Sequence, residues 1–446
     1  MPEFWKGWRW LCSGEGVGGA VLLKPLAEAI RDKDNIYGVI KGTAVNHGGK
    51  TNGYTVPNPN AQTKVIERAL RQGNIDPRTI TYLEAHGTGT VLGDPIEITG
   101  LKKAFDNYTS DRQFCSIGSV KSNIGHCEGG AAGIAGLTKV LLQMKYKKRV
   151  PSLHTEVLNP HIDFDHTPFK VQQTLENWER PVINVEGGEE KKYPRRAGIS
   201  AFGGAGGSNA HVVVEEFNPD KIMEHHEHAH PAIIVLSAKD PSALRQRVER
   251  LVETMESFDE RHLMDVAYTL QIGREAMEER LALTADSIEK LKKKLTAFLA
   301  GEENNEVFHG TAQAGKAVLS TISSDDEMKV IIGNWLTKGK YEKLLEMWVK
   351  GLEIDWNMLY RDGTPRRISL PTYPFNRQKC WFSDVGKEVE QPDVTLNSKQ
   401  TSNQKQPSSS LNGCMYLPVW EEAQVVLVKD HLINRLSLFM RNQQLL

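Results

Sequence analysis

Thr79-Ile-Thr-Tyr-Leu-Glu84-Ala-His-Gly-Thr-Gly-Thr-Val-Leu-Gly-Asp94-Pro95 decides the reading of the fold. Its first six residues are rich in β-branched and aromatic side chains and predict a strand. The Gly/Thr-rich run after them predicts a tight loop that carries His86 at the strand end. Asp94 then reads as a helix N-cap, Pro95 as the first helical residue and Glu97 as the closing member of a capping box. Strand, loop and helix in that order form one unit of an α/β layered domain.

The same rhythm extends in both directions, from about residue 14 to about 217. Gly38 to Val45 reads as a strand, and Asn60 opens a helix whose Val65, Ile66, Ala69 and Leu70 share one face. Two more segments concentrate chemistry. Lys121-Ser-Asn-Ile-Gly-His126 runs into a small-residue stretch, Gly129 to Gly136, and an apolar helix. Gly198-Ile-Ser-Ala-Phe-Gly-Gly-Ala-Gly-Gly-Ser-Asn-Ala-His211 reads as a glycine loop leading into the strand Val212 to Val214.

The character changes near Asn218. Glu224-His-His-Glu-His-Ala-His230 is a polar joint, followed by the apolar run Ala232 to Leu236. Asp240-Pro241 starts a helix with Leu244, Val248, Leu251, Val252 and Met255 at helical spacing. Residues 218–385 therefore read as a second, smaller α/β unit. Residues 386–412, rich in Ser, Gln, Asn and Lys, read as a flexible linker. Residues 413–446 are too few for a domain and read as the start of one cut short.

Composition narrows the classes of function. A net charge of -1 with 25% charged residues carries no nucleic-acid signature. No apolar run approaches the roughly 20 residues of a membrane helix, and no secretory signal is visible. Cys12, Cys115, Cys127, Cys380 and Cys414 are scattered without a CxxC pair, which argues against structural zinc and a disulfide framework. A reduced, cytoplasmic protein is the expectation. Gly14-Glu-Gly-Val-Gly-Gly19 matches GxGxxG, but no apolar strand precedes it, so no dinucleotide site is expected. His225, His226, His228 and His230 read as a solvated joint, and no metal site is expected.

The three chemistry-bearing segments, in order and at their spacing, resemble the C-terminal half of modular polyketide-synthase ketosynthases, members of the thiolase-like condensing enzymes. The resemblance runs from Gly14 to Glu216. It implies a thiolase-like layered α-β-α half-domain at 14–217, followed by a small α/β ketosynthase-flanking linker domain. Ile234 to Lys239 and Ala267 to Met277 resemble that linker domain, and Trp348, Gly351, Asp355-Trp356 and Leu370 to Phe375 resemble its closing strap, which packs back on the ketosynthase. No GHSxG serine motif intervenes, as in assembly lines served by a trans-acting acyltransferase. Met415 to Glu421 resembles the opening of a following module domain.

The reaction implied is a decarboxylative Claisen condensation of malonyl-carrier protein with an acyl thioester, as in polyketide biosynthesis. By the resemblance His86 and His126 are the catalytic pair that promotes decarboxylation and holds the thioester oxygen. Lys121 and Glu97 match a charged pair that tunes them. Thr88 and Thr90 match residues that bond the phosphopantetheine arm, and Asn209 sits in the glycine loop lining the acyl pocket. That loop has one residue more than the family's usual form, so one of Gly203 and Gly204 reads as an insertion. Thr88 and Thr90 also have a plain turn-capping reading, Glu97 the capping-box one, and a histidine by itself reads as an ordinary core or surface residue. The domain itself is expected to bind no cofactor, because the phosphopantetheine belongs to the acyl carrier protein. Implied partners are that carrier, a trans-acting acyltransferase, a second copy in a homodimer, and an N-terminal ketosynthase half.

The last follows from the nucleophile. A ketosynthase holds its growing chain on a cysteine in a TACSS-type turn, and none of the five cysteines has that setting. MPEFWKGWRWLCS at 1–13 resembles nothing in the family, whereas its DNA read one nucleotide later is compatible with the family's own segment before Gly14. The expectation is a frameshift, in the genome or in its sequencing, separating this frame from a nucleophile-bearing half. The chain would then be inactive alone and poorly soluble, with a non-catalytic remnant or docking fragment as the alternative.

Overall fold

The computed structural model describes residues 18–53, 56–127, 130–184, 188–203, 207–219, 230–312, 326–360 and 363–376. The readings made for 1–13, 386–412 and 413–446, for His225, His226 and His228, and for Cys12, Cys380 and Cys414 lie outside these residues.

A short helix α1 (Leu26–Arg31) precedes strand β1 (Val39–His47) and helix α2 (Pro59–Gly73). The apolar stripe read from the sequence is the stripe that α2 buries: Val65, Ile66, Ala69 and Leu70. Its N-cap is Asn58, whose side chain accepts from the Asn60 and Ala61 N–H groups, a bond set worth about 1 kcal/mol. Strand β2 (Ile80–Glu84) then leads through the His86 loop to α3 (Gly93–Asp106), followed by β3 (Cys115–Gly118), the four-residue α4 (Lys121–Ile124) and α5 (Gly130–Tyr146). Short ribbons pair β4 (Lys148–Arg149) with β6 (Glu176–Asn177) and β7 (Val182–Asn184) with β8 (Glu190–Lys192), and β5 (Phe169–Val171) falls between β4 and β6 in sequence. Strands β9 (Arg196–Phe202) and β10 (Ser208–Glu215) complete the main sheet.

That sheet has the order β1-β10-β9-β2-β3-β5. β1, β10 and β9 pair antiparallel, while β9, β2, β3 and β5 run parallel. Helices α2 and α3 cover one face through a core that includes Ile66, Leu70, Leu83, Leu101 and Phe105. Helix α5 covers the other, with Val140 and Met144 packed on Tyr82, Trp178 and Ile199. The layers are α-β-α.

Two local expectations are corrected. Asp94 is not an N-cap: α3 starts at Gly93, and its N-cap position is Leu92, whose side chain makes no capping bond. The stretch from Gly198 to His211 is not a long loop. Most of it is an antiparallel hairpin, with Phe202 opposite Asn209 and Ser200 opposite His211.

The second part is built on a three-stranded antiparallel sheet, β11 (Ala232–Ala238), β12 (Glu279–Ala285) and β13 (Val307–Thr311). Helices α6 (Pro241–Thr254) and α8 (Ile288–Ala300) pack together on β11 and β12, and α7 (Leu263–Ile272) packs on β11. Helix α9 (Asp326–Thr337) leads to α10 (Tyr341–Val349), which lies on β12 and β13. Asp240 caps α6 as its Asp-Pro sequence predicts, accepting from the Ala243 N–H at 2.8 Å. Among the described residues no helix is long and apolar enough to cross a membrane.

Candidate active site

The site forms where two parallel strands end side by side. Leu83 and Glu84 of β2 lie opposite Ile117 and Gly118 of β3, so the loops that leave these strands meet. One carries His86 and the other, through α4, carries His126. Gly125 holds φ at +78°, a conformation that favours glycine, and turns the chain from α4 into His126. The two imidazoles stand edge to face, with centroids 5.7 Å apart and planes at 90°. Phe202, at the end of β9, lies 6.3 Å from the His86 ring.

The peptide groups around His86 are held by buried ionisable side chains. Glu97 accepts from the His86 N–H at 2.8 Å and from the Gly87 N–H at 2.9 Å. Lys121 donates through Nζ to the His86 carbonyl at 2.5 Å. One turn earlier on α3, Asp94 accepts from the Gly89 N–H at 3.2 Å. The capping-box reading of Glu97 is thereby corrected, because its carboxylate is spent on the loop and not on its own helix. The turn needs its glycines: Gly87 has φ +46°, and a Cβ there would stand 2.9 Å from the Ser119 Cβ.

Burial dominates the electrostatics. It pushes the Glu97 carboxyl up against the pull of its two N–H partners, and raises Asp94 to about 7, with Glu97's charge adding to the effect. Burial also lowers the Lys121 ammonium, opposed by the nearby Glu97 and Glu84. His86 is lowered to about 3 by burial first, then by the Lys121 charge and by His126. Its imidazole is therefore neutral at pH 7.

The remaining sequence candidates fall as follows. The Thr88 and Thr90 hydroxyls approach each other at 3.5 Å, and Thr90 Oγ1 also accepts from the Gly93 N–H at 3.0 Å, which is the turn-capping arrangement. Asn209 is on β10 rather than in the loop, because the hairpin pairing runs up to Phe202. Its Nδ2 donates to Asn46 Oδ1 at 3.0 Å, and Asn46 in turn donates to the Ala61 carbonyl at 2.7 Å. Asn46, Asp94 and Phe202 were missed by sequence reasoning. Asp94 had a signal, a second acidic residue in a loop-to-helix motif, but Asn46 stands 163 residues from its partner. Glu84 was missed as well: Oε1 takes the Val120 N–H at 2.5 Å, and Oε2 lies 2.9 Å from Lys139 Nζ. That carboxylate joins the two loop-bearing strand ends to α5. Among the described residues no cluster of three or more metal-ligating side chains occurs.

Residues 37–156 match the β-ketoacyl synthase C-terminal domain, and residues 235–302 match the RhiE-like KS-MAT linker domain. Among curated proteins, polyketide synthase PksL of Bacillus subtilis (strain 168) is 56% identical over 382 residues, 85% of this chain and 8% of the relative. Polyketide synthase PksM of the same strain is 50% identical over 433 residues, 97% of this chain and 10% of the relative. The solved ketosynthase from module 6 of the bacillaene synthase of Bacillus subtilis 168 is 43% identical, with a TM-score of 0.69, over 80% of this chain and 60% of that one. An oxazolomycin ketosynthase domain of Streptomyces albus JA3453 is 41% identical, with a TM-score of 0.66, over 80% and 57%. The chain thus spans a tenth or less of these curated relatives and under two thirds of the solved ketosynthase chains.

Proposed function

Because this chain belongs to the ketosynthases of modular polyketide synthases, we propose that its His86 and His126 activate a malonyl extender unit for decarboxylative Claisen condensation. The bond from the malonyl α-carbon to its carboxylate breaks and carbon dioxide leaves. The electron pair passes into the thioester as an enolate, whose carbon attacks an acyl group held on a cysteine and expels that thiolate. Charge develops on the thioester oxygen, and imidazole N–H donors already in place stabilise it without reorganisation. The observation that carries this reading is the His86–His126 pair, set edge to face at 5.7 Å, with His86 held neutral and its backbone fixed from both sides by Glu97 and Lys121.

Thr88 and Thr90 then meet the phosphopantetheine arm of an acyl carrier protein, and the domain needs no cofactor of its own. Asn209 acts on the acyl pocket by fixing the hairpin that carries Phe202. The nucleophile comes from outside this chain. Cys115 and Cys127 are both buried, and burial pushes the Cys115 thiol well up, opposite to what a nucleophile needs. The part that supplies the cysteine fits the open side of α5, where Ile134, Ala135, Thr138, Leu142 and Tyr146 line a groove of about 450 Å³. A homodimer, a trans-acting acyltransferase and a cytoplasmic setting complete the proposal.

The test is carbon dioxide release from malonyl-carrier protein by this chain co-expressed with an upstream cysteine-bearing part. H86Q and H126Q should each lower release by about 100-fold or more while acyl loading of the cysteine persists. Undiminished release in both variants would sink the assignment. If the wild-type pair loads acyl groups but releases no carbon dioxide, the non-catalytic reading prevails.

A further inference from the structure

The linker domain holds two arginines that the condensing chemistry does not use. Arg247, on α6, is only 7% exposed, yet it makes no ion pair among the described residues. Among the described residues its side chain makes one hydrogen bond, from Nη1 to the Ser237 carbonyl, and its guanidinium lies 5.9 Å from the centre of the Tyr373 ring. After burial, the strongest influence on it is another cation, Arg274. Arg274 follows the C-cap of α7 and donates to the Gly273 carbonyl at 2.8 Å and, at 3.5 Å, to the Leu370 carbonyl.

The two arginines are tied together twice. Ser237 gives its carbonyl to Arg247, while its hydroxyl donates to the carbonyl of Glu275, next to Arg274. On the strap, Leu370 meets Arg274 and Tyr373 lies against Arg247. The Tyr373 oxygen accepts from the Lys239 N–H at 3.0 Å, which leaves the phenol proton to donate elsewhere.

Arg280 shows what a self-sufficient buried arginine looks like in this domain. It donates to the Met277, Trp348 and Leu352 carbonyls, lies 4.9 Å from the Trp348 ring centre, and has Glu353 and Glu278 within electrostatic range. Arg247 has one carbonyl and a like charge. A buried cation without a counter-charge is costly, and the cost is removed by an anion between the two guanidinium groups.

The geometry points to a phosphate site on the linker domain, formed by Arg247, Arg274 and the Tyr373 hydroxyl. Three donors from three separate elements suit a tetrahedral oxyanion, and guanidinium forks bind it in a bidentate manner. Phe375 is exposed, with its ring 5.0 Å from that of Tyr373, and offers an apolar platform for the organic part of a phosphoester. Free phosphate and a phosphoester such as a pantetheine phosphate share this chemistry. The site is independent of the condensing reaction.

The test uses the full chain and its R247Q and R274Q variants. Melting temperatures are recorded in inorganic phosphate, in pantetheine 4′-phosphate and in pantetheine, each against sodium chloride at matched ionic strength. Phosphate stabilises proteins generally by exclusion, and that part is common to all three proteins. The expected result is a further, saturating rise in the wild type that weakens at least tenfold in apparent affinity in both variants, with phosphorus NMR line broadening lost in parallel. R274Q guards against misfolding, since Arg247 also supports Ser237. A response to inorganic phosphate identifies the free ion, and a response to the phosphoester alone identifies the esterified form. Equal curves for wild type and both variants, or a response to pantetheine matching that to its phosphate, overturn the site.

Discussion

Three buried ionisable side chains act on one turn of backbone: Glu97 and Asp94 take N–H groups at 86, 87 and 89, and Lys121 takes the carbonyl at 86. A histidine whose backbone is fixed in this way has little freedom left but its two side-chain torsions, as a preorganised donor requires. A fully buried histidine lies outside this site. His211 on β10 bonds Ser200 Oγ through Nδ1 at 3.0 Å, and burial lowers it to about 4. Its Nε2 is buried without a partner, and a Cβ on Gly198 would stand 2.9 Å from it. The sign of its effect on stability follows from this shift. The folded state disfavours the charged form, so the contribution is fully present above the unfolded value of about 6.5 and is lost as pH falls toward 4. At pH 5 the loss is on the order of 2 kcal/mol from this group. Denaturant melts between pH 7 and 4 should therefore be less steep in pH for H211Q than for the parent; identical pH slopes would remove His211 as the cause.

At the scale of elements, what was legible in the sequence was what is local. The α2 stripe and the strand before His86 were read because periodicity of 3.6 or a β-branched run is set by neighbours along the chain. The start of α3 was misread for an equally physical reason. Asp94, Pro95 and Glu97 have the sequence of a capped helix, but the N–H groups of the His86 loop compete for both carboxylates and win. Asn209 was assigned to a loop because five small residues follow Phe202, whereas sheet pairing claims it, and its Asn46 partner belongs to a strand far away in sequence. The site histidines and Lys121 stood out as motif members, but their meeting depends on β2 and β3 being parallel neighbours, which no local pattern encodes. The contact between α2 and β1 rests on two missing side chains, at Gly42 and Gly73, and Gly42 is the tighter. A Cβ on Gly42 would lie 2.1 Å from the Ala69 carbonyl oxygen and 3.1 Å from the Gly73 nitrogen, both backbone atoms of α2. G42A must push helix and strand apart and should cost about 3 kcal/mol or prevent folding. A soluble G42A protein melting within about 1 kcal/mol of the parent would show that this close approach is not required.

Across the whole molecule, residues 363–370 of the strap are held from two sides by adjacent arginines. Arg366 donates to Asp265 on α7 through its backbone N–H at 2.8 Å and its guanidinium at 3.2 Å, with side chains 11% and 4% exposed. Arg367 turns the other way, to the Asp34 carboxylate and the Asp32 carbonyl in the segment between α1 and β1, while its N–H bonds the Lys33 carbonyl at 3.0 Å. Asn35 and Tyr37 each reach Ser369 Oγ at 2.8 Å. The two ion pairs should not weigh alike. D265N removes the buried charge that takes both the Arg366 backbone N–H and its guanidinium, so it should cost about 2 kcal/mol and loosen the linker domain itself. The Arg367–Asp34 pair, 31% and 25% exposed, is screened by solvent and is worth about 1 kcal/mol. In D34N, amide hydrogen exchange at residues 364–369 should accelerate about fivefold while α7 stays as protected as in the parent, and the difference should shrink in high salt. In D265N the acceleration should reach α7 as well. If D34N exposes α7 equally, strap and linker domain open as one unit, and the outer arginine does more than dock the strap on the ketosynthase sheet.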